Sequence, residues 1–449
     1  MSQAAWFRDA VTGEGKWSLD EVIYRSPTGN LLEVHHDLSA LKAQGPEALK
    51  ACWDKRWSPH SAAPYNSGIW GKKELVLPDI PDEHIVTLGE GCSSLLPMGR
   101  YAEALGLDGQ QLFLKQCGNS HSGSFKDLGM TVLVSHVNHL LRSGKQKFLG
   151  VACASSGDTS AALAAYAAAA GIPAIVLLPN AKVSPAQLVQ PLANGALTLA
   201  LDTDFDGCMK VVRQLTEDGK LYLANSMNSL RIEGQKTVII EIIQQMGWDV
   251  PEWIFISGGN LGNTSAIYKG LEELHELGVI ARMPKVVCCQ AAAADPLYRC
   301  YQNGWKDFQA VTAGATQASA IRIGDPVSVS KAMKGLIAHD GMVENASESE
   351  LAEACARADR AGFFTCPHTG VTLAAVEKFA QRGAFKKSDR IVAISTAHGL
   401  KFGSVKSDYH HNSIPGVTAQ QPNQPQVLAA NIDAVYDAVQ RHRDQMSQS

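Results

Sequence analysis

One lysine stands out for its setting. Lys126 lies in the run His121-Ser122-Gly123-Ser124-Phe125-Lys126-Asp127-Leu128-Gly129-Met130, after a strand-like stretch (Leu112 to Lys115) and before a helix-like one reaching Leu141. Small neighbours leave room beside its amine, and Phe125 adds an apolar contact that depresses a lysine pKa when the site is buried. An amine so placed can form a Schiff base with an aldehyde cofactor. A lone lysine ahead of a helix is ordinarily a solvated surface charge, so the chemistry depends on what else the chain supplies.

Three stretches could hold anions. Ser257-Gly258-Gly259-Asn260-Leu261-Gly262-Asn263 joins a strand to a helix N-terminus. Its glycines let successive N–H groups converge and the helix dipole adds positive potential, as in a phosphate cradle; a plain tight turn would use the same glycines. The spacing is not Gly-x-Gly-x-x-Gly, and the next strand ends in Cys289-Gln290 without an acid for a ribose, so a monophosphate fits better than a dinucleotide. Ser155-Ser156-Gly157-Asp158-Thr159 opens another helix, with hydroxyls and amides that suit a carboxylate or an ordinary N-cap. Asn225-Ser226-Met227-Asn228-Ser229-Leu230-Arg231 adds amides, hydroxyls and a guanidinium that could grip a phosphate bidentately, or pair with Glu233 on the surface.

Thr396 falls just past the last strand, where open α/β sheets place ligand groups, while His398 reads as structural. A Schiff-base lysine, a monophosphate cradle, a carboxylate site and a strand-end hydroxyl together describe pyridoxal phosphate with an amino-acid substrate.

The elements that must position these groups alternate. Strands are expected at Lys147 to Cys153, Ala174 to Leu178, Leu197 to Leu201, Leu221 to Leu223, Trp253 to Ile256, Val286 to Cys289 and Arg390 to Ile394. Helices run between them, including an alanine-rich one from Ser160 to Ala170 that Gly171 and Pro173 end. This is an α/β pattern of two open parallel sheets. Residues 1–85 form an N-terminal extension of short elements with a turn at Ser26 to Asn30. Residues 86–132 and 231–411 make a large cofactor-binding domain and 133–230 a small one. Residues 412–449 are a Gln/Asn/Pro-rich linker and an amphipathic helix, with Leu428, Ile432, Val435 and Val439 on one face, expected to dock on the body or on a partner subunit.

Composition excludes other classes. The chain has 449 residues and a formal net charge of -4, too many for one simple core and without a basic footprint for nucleic acid. It holds no apolar run long enough to cross a bilayer, and its first twenty or so residues lack the apolar core of a secretory signal. Ten cysteines without a Cys-x-x-Cys pair suggest reduced thiols, and Cys366-Pro367-His368 is too small a set for a metal site. A cytoplasmic protein is expected, or a plastid protein in mature form.

The motifs carry a resemblance. Ser122 to Gly129, Ser155 to Thr159, Gly258 to Asn263 and Ser395 to Gly399 resemble the fold-type II pyridoxal-phosphate enzymes, the tryptophan synthase β-like fold with the cofactor between two lobes. Within them, Arg231 to Thr237, Gly324 to Ser328 and Cys366 to Gly370 are similar to the threonine synthases of the plant-type branch. The resemblance implies conversion of O-phospho-L-homoserine and water to L-threonine and phosphate. It places the cofactor on Lys126, with Phe125 and Asp158 beside it. Gly258, Gly259, Asn260, Leu261, Gly262 and Asn263 would hold its phosphate and Thr396 its pyridine nitrogen. Ser155, Ser156 and Thr159 would hold the substrate carboxylate; Asn225, Ser226 and Arg231 would hold the substrate phosphate. Asp158 stands where most fold-type II enzymes carry asparagine facing the cofactor's 3′-oxygen, so the carboxylate needs a proton or a nearby donor there.

The branch is also activated by S-adenosylmethionine. Tyr65 to Trp70 and Lys72 to Glu74 resemble its site, whereas Glu90 to Pro97 departs from the asparagine- and aromatic-rich pattern, which weighs against that effector. A homodimer is implied. The rival readings are a cysteate synthase-like β-replacement on O-phosphoserine and a non-catalytic ligand-binding relative.

Overall fold

Uninterrupted apolar runs become strands covered on both faces. Gly150–Ala154, Trp253–Ser257 and Ile391–Ser395 are buried at every position, as parallel strands between helix layers require. The computed structural model describes residues 4–155, 157–180 and 185–448.

Among the described residues, twelve strands in chain order build three sheets: β1 (Ala5–Asp9), β2 (Leu32–His36), β3 (Leu95–Pro97), β4 (Leu112–Gln116), β5 (Gly150–Ala154), β6 (Ala174–Pro179), β7 (Leu197–Leu201), β8 (Leu221–Leu223), β9 (Trp253–Ser257), β10 (Lys285–Ala291), β11 (Met342–Ala346) and β12 (Ile391–Ser395). The largest sheet has the order β11-β10-β9-β12-β4-β3, parallel except for β3, which pairs antiparallel with β4. The second, β7-β6-β5-β8, is wholly parallel. β5 begins three residues later than the apolar pattern suggests, and β11 carries too mixed a sequence, Met-Val-Glu-Asn-Ala, to announce itself.

β1 and β2 form an antiparallel pair at the N-terminus. The turn signal between them is used: Asp9 accepts from the hydroxyls of Ser26 at 2.6 Å and Thr28 at 2.8 Å. Residues 60–92 pack on the helix Lys126–Arg142, where Trp70 Nε1 donates to Thr131 Oγ1 at 2.8 Å. Buried Glu90 ties this region across to the helix Asp158–Ala170 by accepting from Tyr166 Oη at 2.7 Å. Two glycines let the helix Lys126–Arg142 lie directly on the helix Leu230–Gln235. A Cβ on Gly129 would come within 2.8 Å of Arg231 O, and one on Gly234 within 1.7 Å of Leu128 O.

The helix Ile432–Gln448 does not dock on the body. Ile432, Val435, Tyr436 and Val439 are all exposed, so its apolar face finds no cover among the described residues. No helix among the described residues is long and apolar enough to cross a membrane.

Candidate active site

The site gathers where strands of both sheets end. The loop Ser257–Asn263 follows β9, Ser155–Thr159 follows β5, Asn225–Ser229 follows β8, and Thr396 follows β12. All leave the carboxyl ends of parallel strands, the usual place for a ligand crevice. Lys126 opens its helix close to these ends. Phe125 N donates to Thr396 O at 2.9 Å, which stitches the lysine's loop to the last strand. Asp127 is buried and accepts from Ser122 N at 2.7 Å and Ser120 Oγ at 2.6 Å, shaping the turn that presents Lys126.

Lys126 is half-buried, with Nζ 3.8 Å from the centroid of the Phe125 ring. Among the described residues its amine has no hydrogen bond or ion pair. Poor solvation and, next, the nearby Arg231 guanidinium bring its pKa down to about 7, against the opposing pull of Asp158. Half the amines are therefore unprotonated near neutrality, as attack on an aldehyde demands.

Arg231 is buried, 4% exposed, and burial lowers even the guanidinium, to about 10. One terminal nitrogen donates to Ala224 O at 3.2 Å, while Nε has no partner. A buried cation with an unspent donor is costly unless an anion joins it. The surface pairing with Glu233 does not form. Glu233 is buried on another face of the helix, among His36, Lys236 and Lys269.

The glycine loop is tightly walled. A Cβ on Gly258 would lie 2.4 Å from Cys288 Sγ, and one on Gly259 2.9 Å from Ile321 Cα. Leu261 takes a left-handed φ of 61° to start the helix Gly262–Glu276. Asn260 ties the loop to its surroundings: Nδ2 donates to Ser226 Oγ at 3.3 Å and Oδ1 accepts from Val327 N at 3.2 Å. Asn263 Oδ1 is buried without a partner.

Asn225 is used differently. Its amide closes on the backbone of Ala154, accepting at 3.0 Å and donating at 2.9 Å, and so binds the end of β5 to the end of β8. Ser155 and Thr159 are half-buried at the mouth of the helix Asp158–Ala170, where Ser155 Oγ accepts from Gly157 N at 3.2 Å. Ser156 lies outside the described residues. His398 Nδ1 accepts from Leu400 N at 3.2 Å, a turn-forming role.

Two neighbours were not foreseen. Cys366 Sγ lies 3.9 Å from Thr396 Oγ1. Lys401 Nζ lies 3.2 Å from Asp158 Oδ1. Cys366 lies in a stretch that resembles the family but nothing local assigned it to the site, and Lys401 has no local signal; only the fold brings them there.

Comparison with known proteins follows this geometry. Residues 86–397 match the family model described as pyridoxal-phosphate dependent enzyme. Threonine synthase 2, chloroplastic, of Arabidopsis thaliana is 51% identical over 427 residues, which is 95% of this chain and 82% of that protein. The chain belongs to the pyridoxal-phosphate-dependent enzymes, in the threonine synthase family.

Threonine synthase of Methanocaldococcus jannaschii is 37% identical, over 86% of this chain and 90% of its own. Among solved structures, threonine synthase from Escherichia coli shares the fold, with a TM-score of 0.67 at 18% identity over 97% of this chain and 99% of that one. The residues present fit the family's cofactor. The unpaired amine of Lys126, its pKa depressed, and the walled glycine loop at a helix N-terminus offer a nucleophile for an aldehyde and backbone N–H donors and space for a phosphate.

Proposed function

We propose that this chain converts O-phospho-L-homoserine and water to L-threonine and phosphate, with the cofactor between a large lobe (86–132 and 231–411) and a small one (133–230). The buried Arg231 carries this reading: a guanidinium beside Lys126 with a spare donor and no carboxylate suits a substrate that brings its own phosphate.

Bound pyridoxal phosphate supplies an electron sink for carbanion chemistry. Lys126 would hold its aldehyde, and its amine would move protons at Cα, Cβ and Cγ of the substrate. Gly258 to Asn263 would receive the cofactor phosphate, and Thr396 would hydrogen-bond the pyridine nitrogen as a neutral partner. Asp158 and Phe125 line the ring. Ser155, Ser156 and Thr159 orient the substrate carboxylate. Ser226 and Arg231 take the substrate phosphate, which leaves from Cγ before water adds at Cβ. Asn225 shares that task or, through its bonds to Ala154, shapes the loop that performs it.

The protein acts as a homodimer in the cytoplasm, or in a plastid as a mature form. S-adenosylmethionine is the effector to test.

The experiment measures phosphate and threonine released from O-phosphohomoserine by cofactor-loaded protein, with and without S-adenosylmethionine. Lys126→Ala is the blank, and O-phosphoserine with sulfite runs alongside. Threonine formed only with Lys126 intact is the expected result; turnover of O-phosphoserine alone would overturn it.

A further inference from the structure

Lys401 sits in the 3-10 turn Gly399–Phe402, a few residues past Thr396, and its side chain is 13% exposed. Its ammonium meets three acceptors: Gln190 Oε1 at 2.7 Å, Ser122 O at 2.9 Å and Asp158 Oδ1 at 3.2 Å. They belong to three separate segments. Ser122 is in the loop that presents Lys126, Asp158 begins the helix after β5, and Gln190 is in the helix Pro185–Ala193 after β6. Gln190 Nε2 closes the circuit by donating to Ser122 O at 3.0 Å. Gly123, at a φ of 80°, leaves the passage open, since a Cβ there would stand 3.0 Å from Lys401 Cδ.

A lysine ammonium has three N–H donors; two are spent on Ser122 O and Gln190 Oε1, and the charge stands in an ion pair with Asp158. None of the roles above uses Lys401, yet it pairs the one carboxylate that Lys126 feels. A carboxylate with no cation beside it would set two negative charges together next to a phenolate oxygen, which is unfavourable.

We propose that Lys401 is a positioning residue: it sets its ammonium against the Asp158 carboxyl group beside the cofactor ring, and ties the helices of Asp158 and Gln190 to the loop that presents Lys126. This rests on the reading above in which Asp158 faces the cofactor's 3′-oxygen. Lys126 feels Asp158, and Arg231 acts on Lys126 from beside it. His398, on the adjoining turn, has its Nδ1 engaged by Leu400 N.

The test is a pH titration of the bound cofactor's visible absorbance in four holoenzymes: Asp158→Asn, Lys401→Met, Lys401→Arg and the double variant Asp158→Asn with Lys401→Met. Losing the ammonium leaves a bare carboxylate that favours the protonated site, so Lys401→Met raises the midpoint by about one pH unit or more. Asp158→Asn alone lowers it. The double variant returns towards the parent value, and Lys401→Arg stays there. A Lys401→Met midpoint equal to the parent's, or a shift that Asp158→Asn does not reverse, overturns the role of Lys401 and leaves the placement of Asp158 standing. An unmoved Asp158→Asn midpoint overturns that placement and the inference with it. If Lys401→Met does not yield folded holoenzyme, Lys401→Gln, neutral but able to donate, is titrated under the same criteria.

Discussion

Arg231 and Glu233 stand two residues apart on one short helix and do not pair. Residues at that spacing face different sides of a helix. Glu233 turns into a buried network, where Lys236 Nζ reaches it at 2.6 Å and His36 Nε2 at 2.8 Å, with Lys269 on its other oxygen. Arg231 is thereby left to the site, with its Nε free.

On the proposed function, that division makes Arg231→Met a substrate-binding lesion. Losing one partner of a buried charge pair costs about 2–5 kcal/mol, so kcat/KM for O-phosphohomoserine is expected to fall by about 30-fold or more. Arg231→Lys restores little, because an ammonium cannot offer the planar fork. Steady-state kinetics on cofactor-loaded variants check both.

The same helix carries a stability prediction. Burial alone would raise the Glu233 carboxyl, but Lys236 and Lys269 overcome it and hold the group well below its usual range. His36 is itself kept neutral by burial and contributes a neutral hydrogen bond. A carboxylate depressed in the fold contributes stability that is fully present above its unfolded pKa of about 4.3 and is lost as pH falls below that towards the folded value. Glu233→Ala is expected to cost about 3–5 kcal/mol near neutrality, and the gap between variant and parent to narrow below pH about 4. Denaturant unfolding at several pH values measures this.

Capture of pyridoxal phosphate by the apoprotein is governed by the Lys126 amine, which titrates at about 7. The rate is expected to rise with pH through about 7 and level off above it, because only the neutral amine attacks. Arg231→Met, which removes a repelling cation, moves that midpoint up; Asp158→Asn, which removes an attracting anion, moves it down. Stopped-flow absorbance across the pH range reads all three.

Close packing at two glycines yields opposite phenotypes. Gly234→Ala places a Cβ 1.7 Å from Leu128 O, a backbone atom that cannot swing aside. It is expected to destabilise the whole fold by about 1–3 kcal/mol or more. Gly258→Ala meets Cys288 Sγ at 2.4 Å and disturbs the cradle, so the loss appears in retained cofactor after gel filtration more than in the melting temperature.

Deleting residues 427–449 tests the tail. None of its described side chains is buried, so the melting temperature of the monomer should be unchanged. Light scattering on the same sample reports whether its apolar face serves a second copy.

Local pattern determined much of this protein. Apolar runs such as Trp-Ile-Phe-Ile mark strands because parallel strands are buried on both faces, and the glycines Gly258, Gly259 and Gly262 mark a tight strand-to-helix turn because only a residue without Cβ fits its walls. Lys126 and its small neighbours belong to the same legible class. Tertiary structure alone decided which partners each polar group receives. Glu233 is taken from Arg231 by His36 and Lys269, Asn225 closes on Ala154, and Lys401 reaches Asp158 from 243 positions away along the chain. A side chain's hydrogen bonds are short-ranged and directional, so they are settled by which strands and helices meet in space, and sequence spacing does not carry that information.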